Sequence, residues 1–347
     1  MIGPFHRNIM PAQTPTTRSI SSAAPKALAS IDVPTEAYLK LNKAARIKRR
    51  LAITLSSHSY VPRINDLQSD WVAHVAAPAF KLFRRQRGDA AIGSFCSIGT
   101  GSGLDVLAAV EILGARRVGL TDVHEDVVAI AADNVSRNHL ASHPIAIEAG
   151  CGDLLQPLRP FKAHYDLIYE NLPNVPLPSD NEIVTDRKSS THLAPRKEKL
   201  PELVSNQMLD LHYLALLQAK DFLLPGGAVL STLGGRVPLH VFLSLGALAG
   251  HFCSFLTYTW KVQADPEEVI RDHARKQKEG FGPFYFYRAE ILENAFAAID
   301  VDASGKNAIE IERSLLPERI DSVSAYDALG NGEKIGHTVA ILKSELK

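Results

Sequence analysis

The chain has 347 residues, 46% hydrophobic and 22% charged, with 38 Lys+Arg balancing 38 Asp+Glu. That length and apolar content suit one elaborated domain or two small ones, and exclude a collagenous, coiled-coil or wholly disordered chain. Three dispersed cysteines, Cys96, Cys151 and Cys253, make neither a disulfide framework nor a Cys-rich zinc site, so a reducing compartment is the default. Neutrality hides an asymmetry: residues 1–90 hold 14 Lys+Arg against 5 Asp+Glu, and the rest of the chain is correspondingly acidic. A protein held to nucleic acid or membrane over its whole surface is excluded, but an anionic partner at the N-terminal face is not.

In chain order, residues 1–34 begin with an acid-free stretch containing Arg7, Arg18 and Lys26 and many Ser and Thr. They read as a flexible tail or a targeting segment, which gives cytoplasmic localisation with a mitochondrial alternative. Residues 35–92 are expected to form an N-terminal helical extension. Its first helix runs from an N-cap at Thr35 through KLNKAARIKRRLAI, with Arg46, Lys48, Arg49 and Arg50 on it, and its second spans Asp70 to Phe83.

Residues 93–347 alternate short apolar runs with helical periods, the pattern of an α/β fold with a parallel sheet. Seven strands are predicted: Ser94–Ile98, Arg117–Thr121, Pro144–Ala149, Tyr165–Tyr169, Ala228–Leu233, Phe252–Val262 and His337–Lys343. The uncharged stretch from Val237 to Trp260 is long enough to span a bilayer, but His240, Gly246, Gly250 and His251 interrupt it. It is expected to be a buried helix followed by a strand, with no membrane association. Asp265 to Lys278 reads as an amphipathic charged helix.

The first strand runs into Gly99-Thr100-Gly101-Ser102-Gly103 and then a helix. Glycines there let the backbone approach a ligand, and the helix N-terminus behind them favours polar groups. A dinucleotide fingerprint requires a glycine where this chain has Leu104, and a phosphate-binding P-loop requires a lysine that is absent. The remaining GxGxG resembles the first motif of class I S-adenosylmethionine-dependent methyltransferases. The resemblance extends to Asp122 at the end of the second strand, to Ala131 and Asn134 in the helix after it, and to Asp153 after the third strand. It covers roughly Tyr60 to Trp260.

The resemblance implies a seven-stranded doubly wound, Rossmann-like sheet and S-adenosylmethionine as cofactor. Gly99, Thr100, Gly101 and Gly103 would face its amino-acid part, Asp122 the ribose and Asp153 the adenine. After the fourth strand, Glu170-Asn171-Leu172-Pro173-Asn174 is similar to the Asn-Pro-Pro-Tyr signature of enzymes that methylate exocyclic or amide nitrogens, such as the release-factor glutamine methyltransferases. By that similarity the Asn171 side chain and the Leu172 carbonyl accept hydrogen bonds from the target NH2, orienting its lone pair for in-line transfer. Pro173 and Asn174 would complete the substrate site.

Asn174 stands where the family has an aromatic platform, which points away from a flipped nucleobase and toward a small molecule or protein side chain. Glu170 would hold a cationic amine or act as a base; otherwise it is a strand-end charge facing solvent. Tyr60 and Arg63, in Tyr-Val-Pro-Arg, resemble the segment that helps enclose the cofactor and substrate. Ser97 replaces a commonly acidic position, leaving Asn171, which would also contact the cofactor, a backbone carbonyl or Asp105 to hold the methionine ammonium. Two alternatives stay open: an RNA methyltransferase docking through the basic N-terminal helix, and a cofactor-binding protein without methyl transfer. The polar segment from Pro178 to Ser205 is a candidate lid or substrate loop. No metal is expected, since His124, Glu125 and Asp126 read as solvated charges at a helix start.

Overall fold

The computed structural model describes residues 27–88, 90, 92–176, 192–193 and 196–347. The expected tail up to residue 26 and most of the candidate lid lie outside those residues.

All seven expected strands are present. They are β3 (Ser94–Ile98), β4 (Arg117–Asp122), β5 (Ala146–Cys151), β6 (Tyr165–Glu170), β9 (Leu223–Gly235), β10 (His251–Val262) and β13 (Ile335–Leu346). Short strands β11 (Tyr285–Arg288) and β12 (Ile320–Asp321) extend the sheet to nine, in the order β12-β11-β13-β9-β6-β3-β4-β5, with β10 on β13. Strands β9, β6, β3, β4 and β5 are mutually parallel, whereas β13 runs antiparallel to β9, β10 and β11. The fold is therefore α/β, with a mixed sheet around a parallel core.

Consecutive strand residues feed opposite faces, as the two-residue period requires. Cys96, Ile168 and Val229 enter one apolar core, while Phe95, Leu167 and Leu230 enter the other. Between the strands lie α3 (Leu104–Leu113), α4 (Glu125–Asn138) and α6 (Asp210–Ala219). The chain proceeds outward from β3 through β4 to β5, then returns to place β6 on the other side of β3. That reversal opens a crevice at the carboxyl ends of β3 and β6, the usual ligand position in open α/β sheets.

The N-terminal extension corrects one expectation. Only one helical turn, α1 (Thr35–Leu39), forms where a long basic helix was expected. The chain then runs irregularly to β2 (Arg50–Ser56), which pairs antiparallel with β1 (Ala27–Pro34). The RLAITLS segment carries a strand signal, with Leu51, Ile53 and Leu55 buried on one face at every second residue. The arginines are engaged locally: Arg49 with Glu36 at 2.8 Å, Arg50 with Asp32 at 2.7 Å, and the backbone of residues 45–47 with the Glu111 carboxylate. The second expected helix is observed as a π-helical turn, Val72–Ala76, leading into α2 (Ala77–Arg87).

The apolar stretch forms α7 (Leu239–Leu248) and then β10, and the charged helix is α8 (Pro266–Lys278). No helix among the described residues is long and apolar enough to cross a membrane.

Candidate active site

A cavity of about 1050 Å³ opens at the carboxyl ends of β3, β4, β6 and β9. Its volume lies at the top of the roughly 300–1,000 Å³ usual for one ligand, and its walls fall into two regions. The first is built around the glycine loop. Gly99, Gly101 and Gly103 have φ of +68°, +53° and +79°. A Cβ on Gly101 would enter open space, whereas one on Gly103 would meet Val135 Cγ2 at 3.1 Å and the Ala131 carbonyl at 3.2 Å. Gly101 thus keeps the cavity face clear, and Gly103 lets the loop pack on α4. Gly99, Thr100 and Gly101 line the cavity; Gly103 sits behind it.

Asp105, the second residue of α3, reaches back beneath this loop and accepts a hydrogen bond from Ser97 Oγ. The acid missing from position 97 is therefore supplied by the following helix. Burial pushes the Asp105 carboxyl up to about 6, against the opposing effect of the Ser97 hydroxyl. Asp122 closes β4 at the cavity wall, accepting from the His124 backbone N–H at 3.2 Å, and burial raises its pKa also. The hydroxyls of Thr100 and Thr121 are buried without hydrogen-bond partners, and both residues line the cavity. Buried polar atoms are normally satisfied, so this wall has unused donors and acceptors for a polar ligand.

Asp153 also lines the cavity, but its carboxylate is already engaged. It accepts from Arg196 at 2.7 and 3.3 Å and from Gln218 Nε2 at 3.1 Å. Asn171, Leu172, Pro173 and Asn174 follow β6 along the same wall. Glu170 does not line the cavity and does not face solvent. It is fully buried, with both carboxylate oxygens 2.8–2.9 Å from His212 Nδ1 on α6. Nε2 of the same ring lies 3.1 Å from Asn174 Oδ1, so Glu170 acts on the cavity only through His212 and Asn174.

The second region contains Tyr38, Tyr60, Trp71, Thr232, Arg236 and Gln263. Tyr60 lines it, while Arg63 stands outside, pairing with Asp265 at 3.3 Å and giving its backbone N–H to Asp70. Asp70 is a buried hub that also accepts from Tyr38 Oη at 2.7 Å and from the N–H groups of Val72 and Ala73.

Sequence reasoning missed Tyr38, Trp71, Arg236 and Gln263, because isolated residues on four separate segments carry no motif. It also did not join His58 to His124 and Asp126. The β1–β2 hairpin brings His58 Nδ1 to 3.1 Å from Asp126, and the two imidazoles stack at 4.2 Å between ring centroids with a 5° interplanar angle. In parallel stacked rings the nitrogen lone pairs do not converge, so this cluster binds a shared ion only after a ring turns.

No protein-family model matches the chain, and no curated protein matches it. Solved structures do resemble it. One is SMU.776, assigned as a methyltransferase and solved with SAH (12% identity, 61% of this chain, TM-score 0.39). The chain spans about half the length of that protein, 47%. Others are the SAM-dependent methyltransferase of Agrobacterium tumefaciens (14% identity, 62% of this chain and 63% of that one, TM-score 0.37) and the ribosomal protein L11 methylase of Lactobacillus delbrueckii subsp. bulgaricus (17% identity, 61% and 91%, TM-score 0.33). At these identities the likeness concerns the fold alone.

Proposed function

We propose that this protein is an S-adenosylmethionine-dependent methyltransferase acting on a nitrogen of a small molecule or protein side chain. The observation that carries the reading is the shared cavity. Gly101, Asp105, Asp122 and Asn171 meet around one space that continues into the region of Tyr38, Trp71 and Arg236, where an acceptor would sit. The cofactor would supply an electrophilic methyl carbon on a sulfonium that departs as a neutral thioether.

The residues fit that group. Gly101 admits it without a Cβ, the unpartnered Thr100 and Thr121 hydroxyls offer hydrogen bonds, Asp105 suits an ammonium, and Asp122 suits a pair of ribose hydroxyls. Asp153 would take part in adenine recognition together with Arg196. Asn171 and the Leu172 carbonyl would accept from the acceptor N–H groups, holding the lone pair in line. The nitrogen's surplus proton would leave to solvent through the open side of the cavity.

Calorimetry with S-adenosylmethionine and S-adenosylhomocysteine tests the cofactor half, and binding of neither removes the proposal. Asn171→Ala tests the transfer half, since it is expected to keep cofactor affinity and to lower transfer at least 100-fold. The RNA alternative stands second in this reading, because the residues that would dock it form no long helix and Arg49 and Arg50 lie beside Glu36 and Asp32.

A further inference from the structure

The second region of the cavity holds more buried positive charge than the reaction requires. Arg236 follows β9 and lines the cavity. Its guanidinium donates to Gln263 Oε1 at 2.7 Å, lies 3.4 Å from His337 Nε2 and sits over the Phe286 ring at 5.8 Å. Its Nε is buried without a partner. Lys261, on β10, which β13 separates from β9, is fully buried behind the cavity lining, and its Nζ has no hydrogen-bond partner. It rests 3.9 Å above the Trp71 ring.

Among the described residues no carboxylate forms an ion pair with either cation. Asp70 is the acid that acts most strongly on Lys261, but its oxygens are taken by Tyr38 and three backbone N–H groups, and Asp265 is paired with Arg63. His337 is fully buried and does not neutralise them. Burial, followed by repulsion from Arg236 and Lys261, drives its pKa far down. Burial also pushes Lys261 down to about 7 and Arg236 down to about 10, a cost borne without an ion-paired carboxylate among the described residues. Charges buried at such cost are ordinarily paired.

We infer that Arg236, backed by Lys261 and oriented by Gln263, is an oxyanion site for the carboxylate of a small planar methyl acceptor. A guanidinium held flat by an amide and an aromatic face presents the fork that a carboxylate matches. Trp71, Tyr38 and Tyr60 supply aromatic walls for the body of such a molecule. One guanidinium and one readily neutralised ammonium suit a monoanion better than a phosphate dianion. That the anion belongs to the acceptor rests on the methyltransferase reading; the oxyanion site does not.

The chain's two tryptophans, Trp71 and Trp260, permit a direct test. Benzoate, benzamide and phenyl phosphate are titrated into the full-length protein, with and without saturating S-adenosylhomocysteine, while tryptophan emission is followed. Benzoate is expected to bind at least tenfold more tightly than benzamide. Arg236→Gln is expected to abolish that preference, with calorimetric S-adenosylhomocysteine affinity unchanged.

Equal binding of benzoate and benzamide, or full benzoate affinity in Arg236→Gln, overturns the site, and tighter phenyl phosphate overturns the carboxylate assignment. If Arg236→Gln does not fold, Arg236→Lys replaces it. A three- to tenfold loss of benzoate affinity then supports the site, and no loss overturns it. A benzoate preference in protein that binds no S-adenosylhomocysteine leaves the site standing and removes only the methyltransferase reading.

Discussion

Asn134 on α4 and Thr54 on β2 exchange two hydrogen bonds. The Thr54 N–H donates to Asn134 Oδ1 at 2.9 Å, and Asn134 Nδ2 donates to the Thr54 carbonyl at 2.8 Å. One turn later Asn138 does the same with Ala52, at 3.0 Å in each direction. Four helical residues advance ~6 Å and two strand residues ~6.6 Å, so asparagines at i and i+4 match alternate residues of a strand. Two side chains thereby act as a strand along the free edge of the hairpin.

Replacing Asn134 by alanine leaves part-buried backbone groups unpaired on β2 and also removes the bond to the Ser102 carbonyl in the glycine loop. A loss of about 1–3 kcal/mol is expected in urea unfolding. The matching loss in Asn138→Ala should be of similar size if both act as edge partners.

With S-adenosylmethionine as the proposed cofactor, Asp105 would couple its binding to pH. A cationic ammonium selects the ionised carboxylate, so S-adenosylhomocysteine affinity is expected to rise with pH through about 6 and to level off above it. Stability runs the other way. The folded pKa lies above the ordinary value of 3.8, so the stabilisation is full below about pH 4 and is lost as pH rises through about 6. Asp105→Asn should flatten both profiles and weaken S-adenosylhomocysteine binding at pH 7, as read by calorimetry and thermal melts.

Gly101 has φ +53° and open space at its Cβ position, so alanine meets only conformational strain of about 1–2 kcal/mol. Gly101→Ala should therefore fold, with a modest drop in melting temperature, yet lose most S-adenosylhomocysteine affinity because the methyl group enters the ligand's space. A variant with unchanged affinity would show that the ligand does not approach this loop.

His212→Ala strands the Glu170 carboxylate in the core and is expected to cost on the order of 3 kcal/mol, measured by chemical denaturation. Glu170→Gln keeps a hydrogen-bonding partner for His212 and should cost less. His212→Ala also removes the partner of Asn174 Oδ1, so it should change the Michaelis constant for the acceptor more than cofactor affinity, whereas Glu170→Gln leaves that contact in place and should change it less.

The strands and the wall of the cavity around the glycine loop were legible because their signals are local. Each strand is a short apolar run, and the glycine loop, Asp122 and the Asn171 segment each end one. What was not legible depends on distant packing. Arg46, Arg49 and Arg50 looked like one face of a helix until Glu111, Glu36 and Asp32 claimed them, leaving LAITLS free to follow its own period of two. Glu170 read either as a site residue or as a strand-end charge in solvent, and it is neither, because its partner, His212, lies on a helix much later in the chain. Arg236, Lys261 and Trp71 have no common motif at all; only the sheet brings them together.

Strand β13 pairs with β9 on one side and β10 on the other, yet it is made after both. During synthesis the two older strands must emerge with open edges and without the partner that joins them. Open strand edges template wrong pairings, and non-local pairing is slow. The cavity wall formed by Thr232 and Arg236 at the end of β9 is thus secured only when the last strand threads between its neighbours. A nascent chain stalled before residue 335 would carry the whole glycine loop and still lack the strand that secures the Thr232–Arg236 wall, with β9 and β10 exposed to mispairing until it arrives.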